Sequence, residues 1–349
     1  MKKRRLITKI VGCCICGLLA IWTNGQTSMV ELAHDSSNQS IKVTINGDHF
    51  TSYLYSDAME KPVLFPIYSR TQRMMTRGYP MVPIPNERTD HPHHLGLWLN
   101  YGDVNGLDFW NNSSAIPPEK KSKYGVIKHA SIVAQEERGQ QASFKVRKYW
   151  NDPSEAHLLQ EETTYAFSTI GEVWVIDRTT TLRALVDVGF SDNKEGMLGI
   201  RVARLLEFPA DKPLTLTDEL GRARSNKVVN NDGVMGHYLS STGEVGGDVW
   251  GTRASWMKLY APIEEGKEAA FVIIDHPENV GYPTYWHART YGLFAANPLG
   301  QKVFSKGKKE LNFALNRGEE VTFKYRVLVA DGDALDPKQI NTIAEDFSK

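Results

Sequence analysis

The sequence predicts an all-β fold, a large antiparallel β-sandwich with one C-terminal helix. Three observations carry that expectation. Many short segments alternate apolar and polar residues with a period of two. No strand–helix–strand alternation of the kind that builds parallel sheets is present. A full set of helix-start signals occurs once, near the end, at Asp336. No fixed-period repeat interrupts this pattern. Residues 27–349 read as one domain, because sandwiches often exceed the usual domain size.

The chain begins with a basic stretch, Lys2, Lys3, Arg4, Arg5 and Lys9, followed by an apolar run over residues 10–22. That run is short for a membrane span and has the flanks of a secretory signal, expected over residues 1–26. Thr23 and Gly25 supply small residues at cleavage spacing, and a retained N-terminal anchor is the alternative. The expected location is exported, periplasmic or extracellular. Cys13, Cys14 and Cys16 all fall in this segment, so the processed chain would have no disulfide and would rely on its core.

Of the 41 Lys and Arg residues, five lie in the leader; the remaining 36 face 41 Asp and Glu, a net charge of −5. No basic run follows the leader, so nucleic acid is not an expected partner. No later apolar stretch is long enough to span a membrane.

Ile41, Val43 and Ile45 alternate with Lys42 and Thr44, and Asn46-Gly47 is a hairpin turn. Residues 61–85 contain Pro62, Pro66, Pro80, Pro83 and Pro85, which favours edge strands and ordered loops over helix. Residues 143–149, 161–167 and 173–185 read as strands, the last two joined by a turn at Gly171-Glu172. Residues 199–208 and 214–216 read as further short strands, and residues 230–233 and 240–247 as loops. Residues 269–274 form a short apolar strand. Residues 311–315 and 321–327 flank Asn316-Arg317-Gly318-Glu319 as a hairpin. Asp336, Pro337 and Gln339 then start a helix whose apolar face is Ile340, Ile343, Ala344 and Phe347.

The chemistry concentrates in three segments. In the first, Asp90-His91-Pro92-His93-His94 is followed by Trp98, Asn105, Asp108 and Trp110. Crowded histidines suit metal ligation, proton transfer or polar-ligand binding. His91 and His93 would share a side of an extended segment and are the candidate ligands of a divalent metal. Ordering of a loop by backbone hydrogen bonds is the plainer reading. In the second segment Trp250, Arg253 and Trp256 sit among glycines, a combination that can stack on and hydrogen-bond a sugar. Core filling is the plainer reading for each tryptophan. The third holds His276, Trp286, His287 and Arg289, with His287 the best proton-transfer partner for the first cluster.

DHPHHLGLWLNYGDVNGLDFW (residues 90–110), GDVWGTRASW (247–256) and DHPENVGYPTYWHARTYGLFAANPLG (275–300) together resemble the PmoA-like family of secreted bacterial proteins. The resemblance covers most of the chain after the leader, with the motifs in the family's order. It implies a sandwich of the mutarotase-like supersandwich kind and a role in bacterial carbohydrate use, without an established reaction. It maps onto His91, His93, His94, Gly96, Trp98, Asn105, Gly106, Asp108 and Trp110. Further on it maps onto Trp250, Arg253, Trp256, His276, Trp286, His287 and Arg289. The chain departs from the family at Pro62-Val63-Leu64-Phe65-Pro66, where a more aromatic run is expected.

The expected function is an exported carbohydrate-active protein that binds a sugar or oligosaccharide in a His, Trp and Arg-lined groove. As an enzyme it would be an epimerase, isomerase or lyase. His94 or His287 would move the proton, and Arg253 or Arg289 would stabilise negative charge. Trp98, Asn105, Asp108, Trp110, Trp250, Arg253, His276 and Trp286 would contact the substrate. A non-catalytic sugar-binding module and a metal-dependent oxygenase are the alternatives. Glycoside hydrolysis ranks lower, because nothing in the spacing of Asp103, Asp108 and Asp248 pairs two carboxyl groups.

Overall fold

The computed structural model describes residues 29–349. The expected signal segment and its cysteines lie outside the described residues. The chain runs β1 (Val30–Asp35), β2 (Ser40–Ile45), β3 (Asp48–Leu54), β4 (Val63–Ile67), β5 (Leu97–Tyr101) and β6 (Val126–Arg138). Next come β7 (Gln141–Asn151), β8 (His157–Ile170), β9 (Val173–Ala184), β10 (Val188–Phe190), β11 (Gly196–Arg201) and β12 (His237–Ser240). The last elements are β13 (Trp256–Glu264), β14 (Lys267–Asp275), β15 (Tyr285–Ala288), β16 (Leu293–Asn297), β17 (Phe313–Leu315), β18 (Glu320–Asp333) and the helix α1 (Pro337–Phe347).

These strands make two eight-stranded sheets. The first has the order β1-β2-β3-β4-β5-β11-β16-β15 and the second β12-β13-β14-β18-β9-β8-β7-β6, while β10 and β17 form a separate pair. Neighbours are antiparallel throughout. The fold is therefore an all-β antiparallel sandwich with one C-terminal helix.

Alternation along the strands builds the core. Ile41, Val43 and Ile45 of β2 and Leu97, Leu99 and Tyr101 of β5 join one buried cluster with Phe144, Phe271, Ile273, Val327 and Val329 from the second sheet. The outer face of the second sheet is covered by α1, whose Ile340 packs with Val272, Ile274 and Leu328. The helix starts as its sequence requires. The Asp336 carboxylate accepts the Gln339 backbone N–H at 2.8 Å, and the Gln339 side-chain oxygen accepts the Asp336 N–H at 2.9 Å. Asp336→Ala is expected to cost about 1 kcal/mol, read as a lower urea midpoint; an unchanged midpoint would show that packing alone holds α1.

Three local expectations need correction. The turn at residues 316–319 forms, with the Glu319 N–H donating to Asn316 O at 2.9 Å. Its flanking strands do not pair with each other, however: β17 joins β10 and β18 lies between β14 and β9. The strand expected over residues 199–208 ends at Arg201 and gives way to a 3-10 turn at Arg204–Leu206. Residues 214–216 make isolated bridges to Val228 and Arg88 instead of a strand. Among the described residues, no helix is long and apolar enough to cross a membrane.

Candidate functional site

The outer face of the first sheet carries the chemistry. On β5, Leu97, Leu99 and Tyr101 enter the core, leaving Trp98 in a separate cluster with Trp110, Leu293 and Ala295. Strand register places Trp98, Gly199, Ala295 and His287 in one row across β5, β11, β16 and β15. Gly199 is required there: a Cβ would lie 2.7 Å from the Trp98 ring and 3.0 Å from Trp110. The indole of Trp98 therefore lies across β11 and floors the site.

The histidine loop is assembled around a buried guanidinium. Arg77 is 1% exposed and donates to the carbonyls of Tyr79 (3.1 Å), Arg88 (3.2 Å), Asp90 (2.8 Å), His91 (2.9 Å) and His94 (3.3 Å). It also pairs with the Asp90 carboxylate at 3.0 Å. Arg201, on β11, donates to the same carboxylate at 2.6 Å. Burial raises the Asp90 pKa, but Arg201, His91 and Arg77 outweigh it and hold the carboxyl well below its ordinary range.

Held this way, the loop stacks rings in a column. Tyr291 and His91 are parallel within 3° at 4.9 Å, His91 and His94 likewise at 4.9 Å, and His94 lies over Trp98 at 5.3 Å. His94 is fully buried, and its Nδ1 accepts from Arg201 Nη1 at 3.3 Å. Burial, then His93 and Arg201, lowers its pKa well below the usual imidazole value. His93 is brought down to about 2 by burial and the nearby Lys61. Lys61 itself is buried, donates to His93 O at 2.8 Å, and is lowered to about 8 by burial. His91 is the open member, with a side chain 40% exposed and Nδ1 3.4 Å from Asp90 Oδ1.

The third segment meets this cluster from β15. His287 Nε2 accepts from Arg289 Nε at 3.1 Å, so the ring proton of neutral His287 resides on Nδ1, which lies 3.7 Å from Glu195 Oε2. Burial, then Arg289 and Lys194, depresses this imidazole to about 3, and the charge of His91 is close enough to contribute. Arg289 lies over the Trp250 ring at 4.9 Å. Lys194 contacts Glu195 and feels both Arg289 and Asp108.

Residues 40–345 match the model of DUF6807, a family of unknown function. The chain belongs to that family. No curated protein matches the sequence. Among solved structures, this DUF6807 chain is similar to the GH36 alpha-galactosidase AgaB from Geobacillus stearothermophilus, at 11% identity and a TM-score of 0.40. The similarity covers 87% of this chain and 41% of that one, so the chain spans less than half the length of that enzyme. A galactose 1-epimerase from Lactobacillus acidophilus NCFM is similar at 8% identity and a TM-score of 0.35, covering 87% and 99% of the two chains. A galactose mutarotase related enzyme from Lactobacillus acidophilus is similar at 9% identity and a TM-score of 0.30, covering 88% and 100%. At these TM-scores the likenesses carry nothing about activity; the fold class rests on the two sheets.

Of the residues singled out in the DUF6807 sequence, His91, His93, His94, His287, Arg289 and Trp250 come to one region, with Asp108 near enough to act on Lys61 and Lys194. Trp98 and Trp110 are there too, but fully buried beneath the histidines, so they support the site and cannot stack on a sugar. Four further substrate contacts expected from sequence are corrected. Trp286 points between the sheets, its Nε1 donating to Ala254 O at 3.0 Å. Arg253 directs its guanidinium to the carbonyls of Pro283, Gly281 and Tyr282 and clamps that loop. His276 packs edge-on against Phe347 of α1 and accepts the Glu278 N–H at 3.1 Å. Asn105 closes a turn, donating to Asp187 O and accepting from Gly189 N.

The metal expectation at His91 and His93 is also corrected. Among the described residues no group of three or more His, Cys, Asp or Glu side chains is arranged to hold a metal ion. His94 Nδ1, the third imidazole's nitrogen, is occupied by Arg201 at 3.3 Å. Arg77, Arg201 and Lys61 alongside add positive charge where a cation would sit. The donor set does not fit a divalent ion.

Sequence reading missed Arg77, Arg201, Lys61, Lys194, Glu195 and Tyr291. One signal was available: Arg201 ends the apolar run Met197-Leu198-Gly199-Ile200, and a guanidinium at the end of a fully buried strand needs a carboxylate partner. Six buried polar atoms without a hydrogen-bond partner also gather here: His91 Nδ1, His93 Nε2, Trp110 Nε1, Arg201 Nε, Trp250 Nε1 and His287 Nδ1. Buried polar groups are normally satisfied, so these atoms call for water or a polar ligand as partner.

Proposed function

We propose that this protein is an exported carbohydrate-active protein that binds a sugar on the outer face of its first sheet. There it moves a proton at a carbon next to a carbonyl, as an epimerase, isomerase or lyase does. The convergence of an open imidazole, backed by a carboxylate, with cations from a separate segment carries this reading. His91 takes the proton. Asp90 lies behind its Nδ1 and favours the tautomer whose Nε2 lone pair is free, the arrangement a base requires. His94 and His287 are reassigned, because Arg201 and Arg289 occupy the lone pair that each would need as a base. His94 supports the His91 ring, and His287 aims Arg289, which stabilises the negative charge that develops. The PmoA-like resemblance of the three motifs and export directed by residues 1–26 belong to the same proposal.

Deuterium wash-in from D2O, followed by NMR over a panel of hexoses, hexuronic acids and their glycosides, tests it. The wild-type protein is expected to exchange one sugar carbon-bound proton, and His91→Ala to slow that exchange by roughly 10²–10⁴-fold. Binding without exchange would make the protein a sugar-binding module. Exchange unaffected by His91→Ala would remove His91 as the base.

A further inference from the structure

We infer that the sugar taken by this pocket is acidic, and that Arg289 receives its carboxylate. The inference rests on the sugar-binding reading above and narrows its substrate class. Its basis is an inventory of charge. Arg77 and Arg201 pair with Asp90, Arg88 pairs with Glu207 at 2.7 Å, and Lys194 contacts Glu195. Arg289 makes no ion pair among the described residues. Its Nε donates to His287, an uncharged imidazole, and its flat face rests on Trp250. Both terminal nitrogens are left without a carboxylate in a part of the molecule where every other cation of the inner cluster except Lys61 has one.

The surrounding groups are of matching polarity. His287 Nδ1 carries the ring proton and has Glu195 Oε2 at 3.7 Å, while Trp250 Nε1 is a buried donor without a hydrogen-bond partner. Burial, and then the nearby Arg289, weakens the hold of Lys194 on its proton. Donors thus predominate around an uncompensated guanidinium. A planar fork offers two parallel N–H groups, which fit the two oxygens of a carboxylate better than a single hydroxyl. The indole behind the guanidinium holds its plane and excludes water from one side. A carboxylate neutralised in this way also acidifies the adjacent sugar carbon, which is the proton that the proposed chemistry moves.

Calorimetric titration of the full chain with a hexuronic-acid disaccharide, its carboxyl-reduced counterpart and a sulfated counterpart decides the matter. The acid is expected to bind about tenfold or more tightly than the reduced sugar. Arg289→Gln should erase that preference and Arg289→Lys should retain part of it, with thermal unfolding confirming that each variant is folded. Equal binding of acid and reduced sugar by the wild type would overturn the inference and leave the sugar-binding function standing. Preference for the sulfated sugar, or an acid preference that survives Arg289→Gln, would also overturn it. Failure of all three sugars to bind would bring down the function and the inference together.

Discussion

Arg77→Met is expected to lower the stability of the protein by about 3–5 kcal/mol, the usual cost of removing one partner from a buried charge network. Five loop carbonyls and one carboxylate depend on this side chain. Methionine fills the space but donates no hydrogen bond, so those carbonyls either stay unpaired or admit water. Asp90 keeps Arg201, which limits the loss. Against a typical total of about 5–15 kcal/mol, the effect is large. On the function proposed above, sugar affinity should fall with it, because His91, His93 and His94 are positioned by the same loop. Arg77→Lys should recover only part of the stability, since a single ammonium cannot reach carbonyls distributed around a planar fork. The exposed pair Arg70–Glu172, at 3.1 Å with side chains 44% and 65% exposed, provides the contrast. Arg70→Ala should change stability by no more than about 1 kcal/mol. Urea unfolding of the three variants measures all of this. An Arg77→Met protein as stable as Arg70→Ala would mean that the loop holds itself.

Much of the fold was legible because local and tertiary demands agree. The alternation in β7, β8 and β9 is the alternation of a face packed against a second sheet, and the capping box at Asp336 is satisfied within four residues. The misread hairpin shows the limit of this. The Asn316–Glu319 turn is set by its own residues, whereas β17 pairs with β10 and β18 with β9, strands more than a hundred residues earlier, and β18 takes β14 on its other side. The site divides in the same way. The histidine cluster and the His287-Arg289 pair stand out by composition. Arg77 and Arg201 do not, because their role is defined only by the carboxylate and carbonyls that the fold brings to them. Tryptophans misled for a related reason. The same indole can floor a pocket, as Trp98 does, or fill the space between sheets, as Trp286 does, and only strand register decides which.

The buried neutral histidines carry a further consequence, an unusual sensitivity to mild acid. His93 and His287 are brought down from the ordinary 6.5 to about 2 and about 3, chiefly by burial, and His94 is lowered in the same way. In the unfolded chain these imidazoles protonate near pH 6.5, while in the folded protein they stay neutral far below it. The unfolded state therefore binds more protons throughout that window, so stability rises with pH and falls as pH drops below 6.5. Each pH unit costs about 1.4 kcal/mol per such group. His93 and His287 alone should remove about 3 kcal/mol by pH 5.5, and His94 adds to the loss. Asp90, whose carboxyl is depressed, acts in a lower window: its contribution is present above the unfolded carboxylate value and is lost only as pH falls below about 4. Destabilisation should thus begin well before carboxylates titrate. Urea midpoints measured from pH 7.5 to 5 check this, and His287→Phe should flatten the slope by the proton that His287 no longer excludes. A midpoint constant across that range would mean that these rings take up their protons in the folded state, with the pocket opening to let them. A bound ligand whose carboxylate sits beside His287 is expected to flatten the response, because that charge favours protonating His287 in the folded protein and brings its proton uptake closer to that of the unfolded chain.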